Sequence, residues 1–430
     1  MHVGEFFDKY GFSSEINIES LLDEFNRQMT TGLEGNVDSL AMIPAFINVD
    51  EDVPTGKPII VLDAGGTNLR VAVVTFDAAG KAKIANFQKF PMPGTTGETL
   101  DKNTFFDAIA AFLEPVSTYA DTVGFCFSYA TEITPDLDGK LLRWTKQVAA
   151  PEVVGEKVGS GIADALKQKT GRKLAIRVLN DTVATLLAGK SAGISRQYDS
   201  YVGFILGTGT NIAYIESNRA ISKVEGLNPN HSMVINVESG NFNGAPVSQF
   251  DTHFDATTAD PGVGRFEKMI SGAYIGGLGL TVLKVAAQDG LFSEKSTPAL
   301  LAIDELSTKD FDNFIANPFA AEGALARIPF TEADRRNVIA LGEPLFIRAA
   351  SLTAANIAAA VLRSGAGRDP LHPICITVDG STYYRTRSAF FKSRVEAKLR
   401  AILGPRGVHF EIINVHDAPM IGAAIAGLIV

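Results

Sequence analysis

A carboxylate stands where an apolar run gives way to a helical pattern. Residues 174–179 read as a strand, and Val183, Leu186 and Leu187 share one face of the helix that follows. Asp181 lies at the junction. Two roles are open to it. Its side chain can cap the helix by accepting from orphan backbone N–H groups, or it can act as an ionised base held at a strand end, facing a cleft. Asn180 beside it carries an amide that both donates and accepts.

Two glycine-rich turns give that carboxylate company. Residues 59–74 place Asp63-Ala64-Gly65-Gly66-Thr67-Asn68 between apolar strands, and residues 201–215 repeat the arrangement around Gly207-Thr208-Gly209-Thr210-Asn211. Glycines let the backbone come close to a ligand, and consecutive N–H groups in such turns form anion nests. Thr67 and Asn68 add donors. A plain Gly-Gly hairpin accounts for the first turn taken alone. As a matched pair the two read as a weak internal duplication, able to clamp the phosphates of one nucleotide across a cleft. Asp63, at the strand end, can hold a magnesium ion through water. No Gly-Lys-Ser/Thr follows either turn, so neither is a Walker A loop.

The elements that must position these residues follow in chain order. Helices are expected over residues 18–29, 103–113 and 156–169, and strands over 83–90 and 122–130. One helix is expected to start at Phe266 and continue to Ala287. A long buried helix is expected over 341–364 and a further one over 386–403, with strands at 374–379 and 408–415. Gly422, Ala423, Ala424 and Gly427 predict a tightly packed terminal helix. Strand–turn–strand units alternating with helices indicate an α/β architecture. At 430 residues, and roughly 150 residues per domain, two or three domains are expected.

Composition narrows the function. A formal net charge of −9 argues against broad nucleic-acid binding. The two cysteines, Cys126 and Cys375, sit in apolar runs and read as buried small hydrophobes in a reducing compartment. No secretory signal is visible, and the apolar stretch from Ala418 is too short to cross a bilayer, which takes about 20 residues. The expectation is a soluble cytoplasmic protein, monomer or homodimer, with no membrane or nucleic-acid partner.

Taken together and in order, these segments resemble the hexokinase family of the actin-like ATPase superfamily, from about residue 58 onward. The resemblance rests on eight short markers: Leu62–Arg70, Phe127-Ser128-Tyr129, Arg143-Trp144-Thr145-Lys146, Leu179–Val183, Gly207–Asn211, Asn236-Val237-Glu238, Phe266–Met269 and Asp379-Gly380-Ser381. It implies a two-lobed, ribonuclease-H-like α/β fold with a cleft. The small lobe would comprise residues 58–187, joined by the terminal helix 418–430, and the large lobe residues 1–57 and 188–417.

The resemblance also implies ATP- and Mg2+-dependent phosphorylation of a hexose, glucose first, at its 6-hydroxyl, as at the entry to glycolysis. Asp181 would accept the hydroxyl proton and Lys146 would offset phosphoryl charge. Ser128, Thr145, Lys146, Asn180, Asn211, Glu238 and Glu267 would hold the sugar. Gly65, Gly66, Thr67 and Asn68 would form one phosphate loop and Gly207, Thr208 and Gly209 the other. Asp379, Gly380 and Ser381 match the adenosine motif, and Asp63 would sit near the metal. Five residues at four places depart from the family's pattern. Ala130 stands for a proline, Val263-Gly264 for a Gln-Gln pair, Ser239 for an aromatic residue and Gly277 for an acid. They imply altered sugar affinity and selectivity. Two other functions stay open: a sugar sensor without useful turnover, and an actin-like ATPase active without sugar.

Overall fold

The computed structural model describes residues 2–144, 148–192 and 196–429. Thirteen strands are described: β1 Ile43–Asn48, β2 Ile59–Gly65, β3 Asn68–Phe76, β4 Ala82–Pro91, β5 Thr122–Phe127, β6 Ala130–Ile133, β7 Gly139–Arg143, β8 Ala175–Leu179, β9 Ser200–Leu206, β10 Thr210–Ser217, β11 Ser232–Asn236, β12 Ile374–Asp379 and β13 Phe410–Ile413. Eleven of them form two sheets, ordered β4-β3-β2-β5-β8 and β1-β11-β10-β9-β12-β13, while β6 and β7 pair as a small separate hairpin.

The two sheets share one pairing scheme. From β4 to β8 the neighbours run antiparallel, antiparallel, parallel, parallel. From β11 to β13 the same series recurs. Each glycine turn is the tight end of one antiparallel hairpin, with Gly65 opposite Asn68 in the first and Leu206 opposite Thr210 in the second. The parallel strands need crossovers. Helices Lys102–Leu113 and Val158–Thr170 supply them in the first sheet, and Glu332–Ser364 and Phe391–Leu403 in the second. The internal duplication read from the two turns thus extends over whole sheets.

Burial follows from the layering. Strand β2 is buried from Ile59 to Ala64, as expected of a strand covered on both faces. The helices Asp181–Ala192 and Ala418–Leu428 lie between the sheets. One apolar cluster runs from Val61 and Ala72 of the first sheet through Leu186 and Ala424 to Ala213 and Val234 of the second. Helix Glu332–Ser364 has the length and hydropathy of a membrane span, but 89% of its most apolar window is buried in the fold, so its composition is that of a core helix. It is tied to helix Gln249–Thr257 by a two-pronged pair, Arg348 Nη1 and Nη2 each 2.7 Å from a carboxylate oxygen of Asp251. Cys126 and Cys375 are buried and unbridged.

Among the boundaries that differ from the sequence expectation, three are the largest departures. The helix expected from Phe266 to Ala287 is two helices, Arg265–Ile270 and Ile275–Gln288. The helix expected over 386–403 begins at Phe391, after a separate short helix Ser381–Arg385. The core helix starts nine residues before 341, at Glu332, behind a capping box made by Thr331 and Asp334.

Candidate active site

Asp63 sits at the end of β2, 1% exposed, with Arg70 Nε 3.0 Å from its Oδ2. The pairing is set by register, because Asp63 and Arg70 face each other across the β2–β3 hairpin. Arg70 also reaches Asp417, at 3.7 Å, just before the terminal helix. On the other flank Asp63 is in register with Cys126 of β5. Burial, then the charges of Asp63 and Asp181, push the Cys126 thiol well above its ordinary range. Those three side chains therefore share one neighbourhood, and Ser128 hydrogen-bonds into it. In the turn, Gly66 has φ +79° and its carbonyl accepts from the Tyr129 hydroxyl at 2.7 Å. Thr67 is exposed, and its hydroxyl accepts from Asn68 Nδ2 at 3.2 Å.

Strand β8 delivers Asn180 and Asp181 to the same place. The cap belongs to Asn180: its Oδ1 accepts from Thr182 N at 2.8 Å, and its carbonyl accepts from Ala184 N at 3.0 Å. Asp181 is the first helical residue. The capping role open to Asp181 in the sequence is thereby filled by its neighbour. The Asp181 carboxylate receives the Thr182 hydroxyl at 3.3 Å, and its charge is felt at both Cys126 and Glu238.

The second sheet contributes a polar cluster. Asn211, early in β10, donates from Nδ2 to Asn236 Oδ1 at 2.7 Å and to Glu238 Oε1 at 3.3 Å. Asn236 Nδ2 donates to the same Glu238 oxygen at 2.8 Å. Glu238 has φ +59°, a left-handed backbone rare for a side chain of this size and found where structure around a site holds it. Its carboxyl lies above the ordinary range. Burial is the main cause and the Asp181 charge adds to it, against the amide donated by Asn236. Glu267 Oε2 accepts from Thr210 N at 2.8 Å. Burial and the Glu238 charge raise the Glu267 carboxyl as well. Asp181, Glu238 and Glu267 are thus electrostatically linked, Asp181 to Glu238 and Glu238 to Glu267, and offer acceptors suited to hydroxyl donors.

The glycines of the second turn are fixed by close approach. A Cβ at Gly209 would lie 2.5 Å from Glu267 Oε2. Gly207 carbonyl accepts from Gly272 N at 2.8 Å and from the Thr382 hydroxyl at 2.8 Å, and Thr208 carbonyl accepts from Ala273 N at 3.0 Å. Here is why the expected long helix breaks: residues 271–274 leave the helical path to hydrogen-bond the turn. Gly380 has φ +116°, and a Cβ there would meet Leu206 O at 2.2 Å. Asp379 Oδ1 receives Gly380 N at 2.7 Å, and Ser381 opens the short helix beside Gly207. The second turn and Asp379-Gly380-Ser381 are therefore adjacent.

The described site residues fall into two groups, Asp63, Ser128 and Asp181 around Cys126 beside the first turn, and Asn211, Glu238 and Glu267 beside the second turn and Asp379-Gly380-Ser381, with the Asp181 charge felt at Glu238. Thr145 and Lys146 lie outside the described residues. Sequence reasoning left out Asn236 as an anchor of Glu238, Arg70 as the partner of Asp63, and Gly272, Ala273 and Thr382 as the clasp on the second turn. Arg70, Asn236 and their neighbours were within quoted markers. The clasp had no local signal.

Family models described as hexokinase match residues 3–191 and 201–429. The chain belongs to the hexokinase family. It is 31% identical to "Hexokinase-5" of Oryza sativa subsp. japonica, over 95% of this chain and 85% of that one. It is 31% identical to "Hexokinase-1" of Nicotiana tabacum, over 98% and 89%. Among solved structures it resembles a hexokinase from Schistosoma mansoni complexed with glucose, with TM-score 0.75 and 26% identity over 96% of each chain. A glucokinase from an Antarctic psychrotroph, at TM-score 0.54 and 18% identity over 86% of this chain and 98% of that one, shares the fold. The fold of this hexokinase is the two-lobed actin-like ATPase fold, and the enzyme transfers a phosphoryl group from ATP to a sugar.

Among the described residues, no group of three or more His, Cys, Asp or Glu side chains could cage a metal ion. A lone carboxylate at the phosphate turn fits a different arrangement. Magnesium keeps several waters and binds through one or two carboxylates plus substrate phosphates. Asp63, with Arg70 on Oδ2, suits that donor set.

Proposed function

We propose that this hexokinase phosphorylates glucose at the 6-hydroxyl, yielding glucose 6-phosphate and ADP. The observation that carries the reading is the assignment of the helix cap to Asn180. It leaves the Asp181 carboxylate free of the capping role, with its charge felt at Cys126 and at Glu238. Phosphoryl transfer passes through a loose transition state, so positioning and charge neutralisation dominate. Asp181 orients the sugar hydroxyl and takes its proton as the bond to phosphorus forms. Asn180, Asn211, Glu238 and Glu267 hold the remaining hydroxyls, together with Ser128 and with Thr145 and Lys146 of the marker Arg143–Lys146.

The turns at Gly65–Asn68 and Gly207–Gly209 offer backbone donors to the phosphates, and Asp379-Gly380-Ser381 lies where the adenosine would follow. A magnesium ion near Asp63 would supply charge neutralisation on the phosphates. The lobes are residues 58–187 with the terminal helix, and the remainder. Their closure excludes water and limits wasteful ATP hydrolysis. A cytoplasmic role in feeding hexose into glycolysis completes the reading.

The deciding experiment is ATP-dependent phosphorylation of glucose, fructose and mannose by the wild type and Asp181→Asn. We expect kcat to fall by about a hundredfold to ten-thousandfold in the variant with sugar binding retained. Equal turnover by the two proteins would remove Asp181 from the mechanism. Sugar binding with no turnover in the wild type would instead mark a sensor.

A further inference from the structure

The first glycine turn is held from the core by a side-chain hydroxyl. Gly65 pairs with Asn68, so Gly66 and Thr67 form a two-residue loop between β2 and β3. Gly66 has φ +79°, the left-handed backbone that a glycine supplies in such a loop. Thr67 is exposed, whereas Tyr129 is 3% exposed. The Tyr129 hydroxyl donates to the Gly66 carbonyl at 2.7 Å.

That hydroxyl is held in place. The Tyr129 ring packs edge-on against Trp144, with centroids 4.9 Å apart and planes at 90°, and its centroid lies 4.8 Å from that of Phe127. Trp144 is itself anchored, its Nε1 donating to the Ala150 carbonyl at 2.8 Å. Burial pushes the Tyr129 hydroxyl well above its ordinary range, so it keeps its proton and stays a donor.

What the bond does follows from peptide geometry. The peptide joining Gly66 to Thr67 is planar and trans, so its C=O and N–H point in opposite directions. Tying the Gly66 carbonyl back to buried Tyr129 therefore turns the Thr67 N–H to the opposite side, outward from the core. The flanking carbonyls are tied as well, Ala64 O accepting from Ser128 N at 3.1 Å and Thr67 O from Met92 N at 2.9 Å. Those two bonds join backbone to backbone. Of the three, the bond to Gly66 comes from a side chain, and it acts on the residue whose backbone is least restricted. A buried tyrosine hydroxyl usually finds an acceptor somewhere. Here the acceptor is the turn itself.

We infer that Tyr129 is a positioning residue for phosphoryl transfer, its hydroxyl fixing the Gly66–Thr67 peptide so that the Thr67 N–H faces the phosphates of ATP. This rests on the reading of residues 65–68 as a phosphate turn. A donor aimed in advance stabilises charge without reorganising as the reaction proceeds. Loosening this peptide weakens the hold on ATP and slows transfer, while the sugar side is untouched.

The test is Tyr129→Phe, which removes the hydroxyl and keeps the ring against Trp144. Thr67→Asp is measured beside it, because a carboxylate on the exposed turn repels phosphate. Initial rates are taken with ATP varied at saturating glucose, and with glucose varied at saturating ATP. We expect kcat/KM for ATP to fall by about tenfold to a hundredfold in Tyr129→Phe. KM for glucose and the glucose-induced thermal shift should match the wild type. Thr67→Asp should raise KM for ATP. An ATP response in Thr67→Asp with none in Tyr129→Phe overturns the inference and leaves the reading of the turn standing. No ATP response in Thr67→Asp removes the turn from phosphate binding, and the inference with it. Equal losses toward ATP and glucose in Tyr129→Phe, with a lowered Tm, mark a core residue and also overturn the inference. Should the wild type not phosphorylate glucose, calorimetric titration of the three proteins with Mg2+ and ADP reads the same contrast. Weaker binding in both variants supports the inference, and weaker binding in Thr67→Asp alone overturns it.

Discussion

Gly422 of the terminal helix lies against Ala184 of the helix that begins at Asp181, so closely that a Cβ at residue 422 would fall 1.8 Å from the Ala184 carbonyl oxygen. The same helix also crosses β5, where a Cβ at Gly124 would fall 1.8 Å from the Ala423 carbonyl. Backbone meets backbone at both contacts, so neither can yield by a rotamer change. Gly422→Ala must push the two helices apart, and overpacking of this kind costs about 1–3 kcal/mol. Because the displaced helix carries Asp181, we expect a lowered Tm together with reduced kcat. Thermal denaturation and steady-state kinetics on the same preparation check both. A variant with wild-type Tm would show that the contact is looser than the geometry requires.

Asp334 offers a prediction about acid stability. It is 2% exposed at the start of the core helix and accepts from Ser293 N and Oγ, Thr331 N and Oγ, and Ser296 Oγ, at 2.7 to 2.9 Å. Burial alone would raise its carboxyl, but these hydrogen bonds outweigh it and hold the group down at about 2, against an ordinary value of 3.8. A carboxyl whose folded value is depressed stabilises the protein above its unfolded value and loses that contribution as pH falls toward the folded one. Asp334→Asn should therefore cost about 2 kcal/mol near neutral pH. The gap between variant and wild type should narrow as pH is lowered from about 4 toward 2. Urea denaturation at a series of pH values measures it, and a gap independent of pH would assign the loss to packing.

How far the chain could be read without coordinates is clear from particular residues. Both glycine hairpins were legible, because an apolar run, a Gly-rich turn and a second apolar run have few other solutions. The close packing of the terminal helix was legible from Gly422, Ala423, Ala424 and Gly427. The cap was not, since Asn180 and Asp181 are equally good cap residues and only backbone geometry chooses between them. Nor was the break at 271–274. The apolar period carries on through Ile270, Ile275 and Leu278 without a proline, and what interrupts the helix is a pair of hydrogen bonds to Gly207 and Thr208, more than sixty residues away in the chain. Local pattern cannot report a tertiary competitor for backbone donors.

Glu238 gives the last prediction, and its sign is opposite to that of Asp334. Its carboxyl is raised, chiefly by burial and further by the Asp181 charge. A group whose folded value lies above its unfolded one contributes most below the unfolded value, and stability declines as pH rises through the folded value. Near neutral pH the ionised Glu238 therefore weighs against the folded state when no sugar is bound. Glu238→Gln keeps a carbonyl to accept from Asn211 and Asn236, and it removes the charge. Without sugar the variant should melt at a higher temperature than the wild type at pH 7, with the difference shrinking toward pH 4. The same substitution removes an anionic acceptor for a sugar hydroxyl, so KM for glucose should rise, because hydrogen bonds to charged groups contribute about 1.5–3 kcal/mol. Tm against pH, with and without glucose, separates the two effects: the variant should gain stability in the free state and lose most of the stabilisation that glucose confers. A variant less stable than the wild type at every pH would mean that the carboxylate is a net structural asset, and that its raised pKa does not govern the folded state.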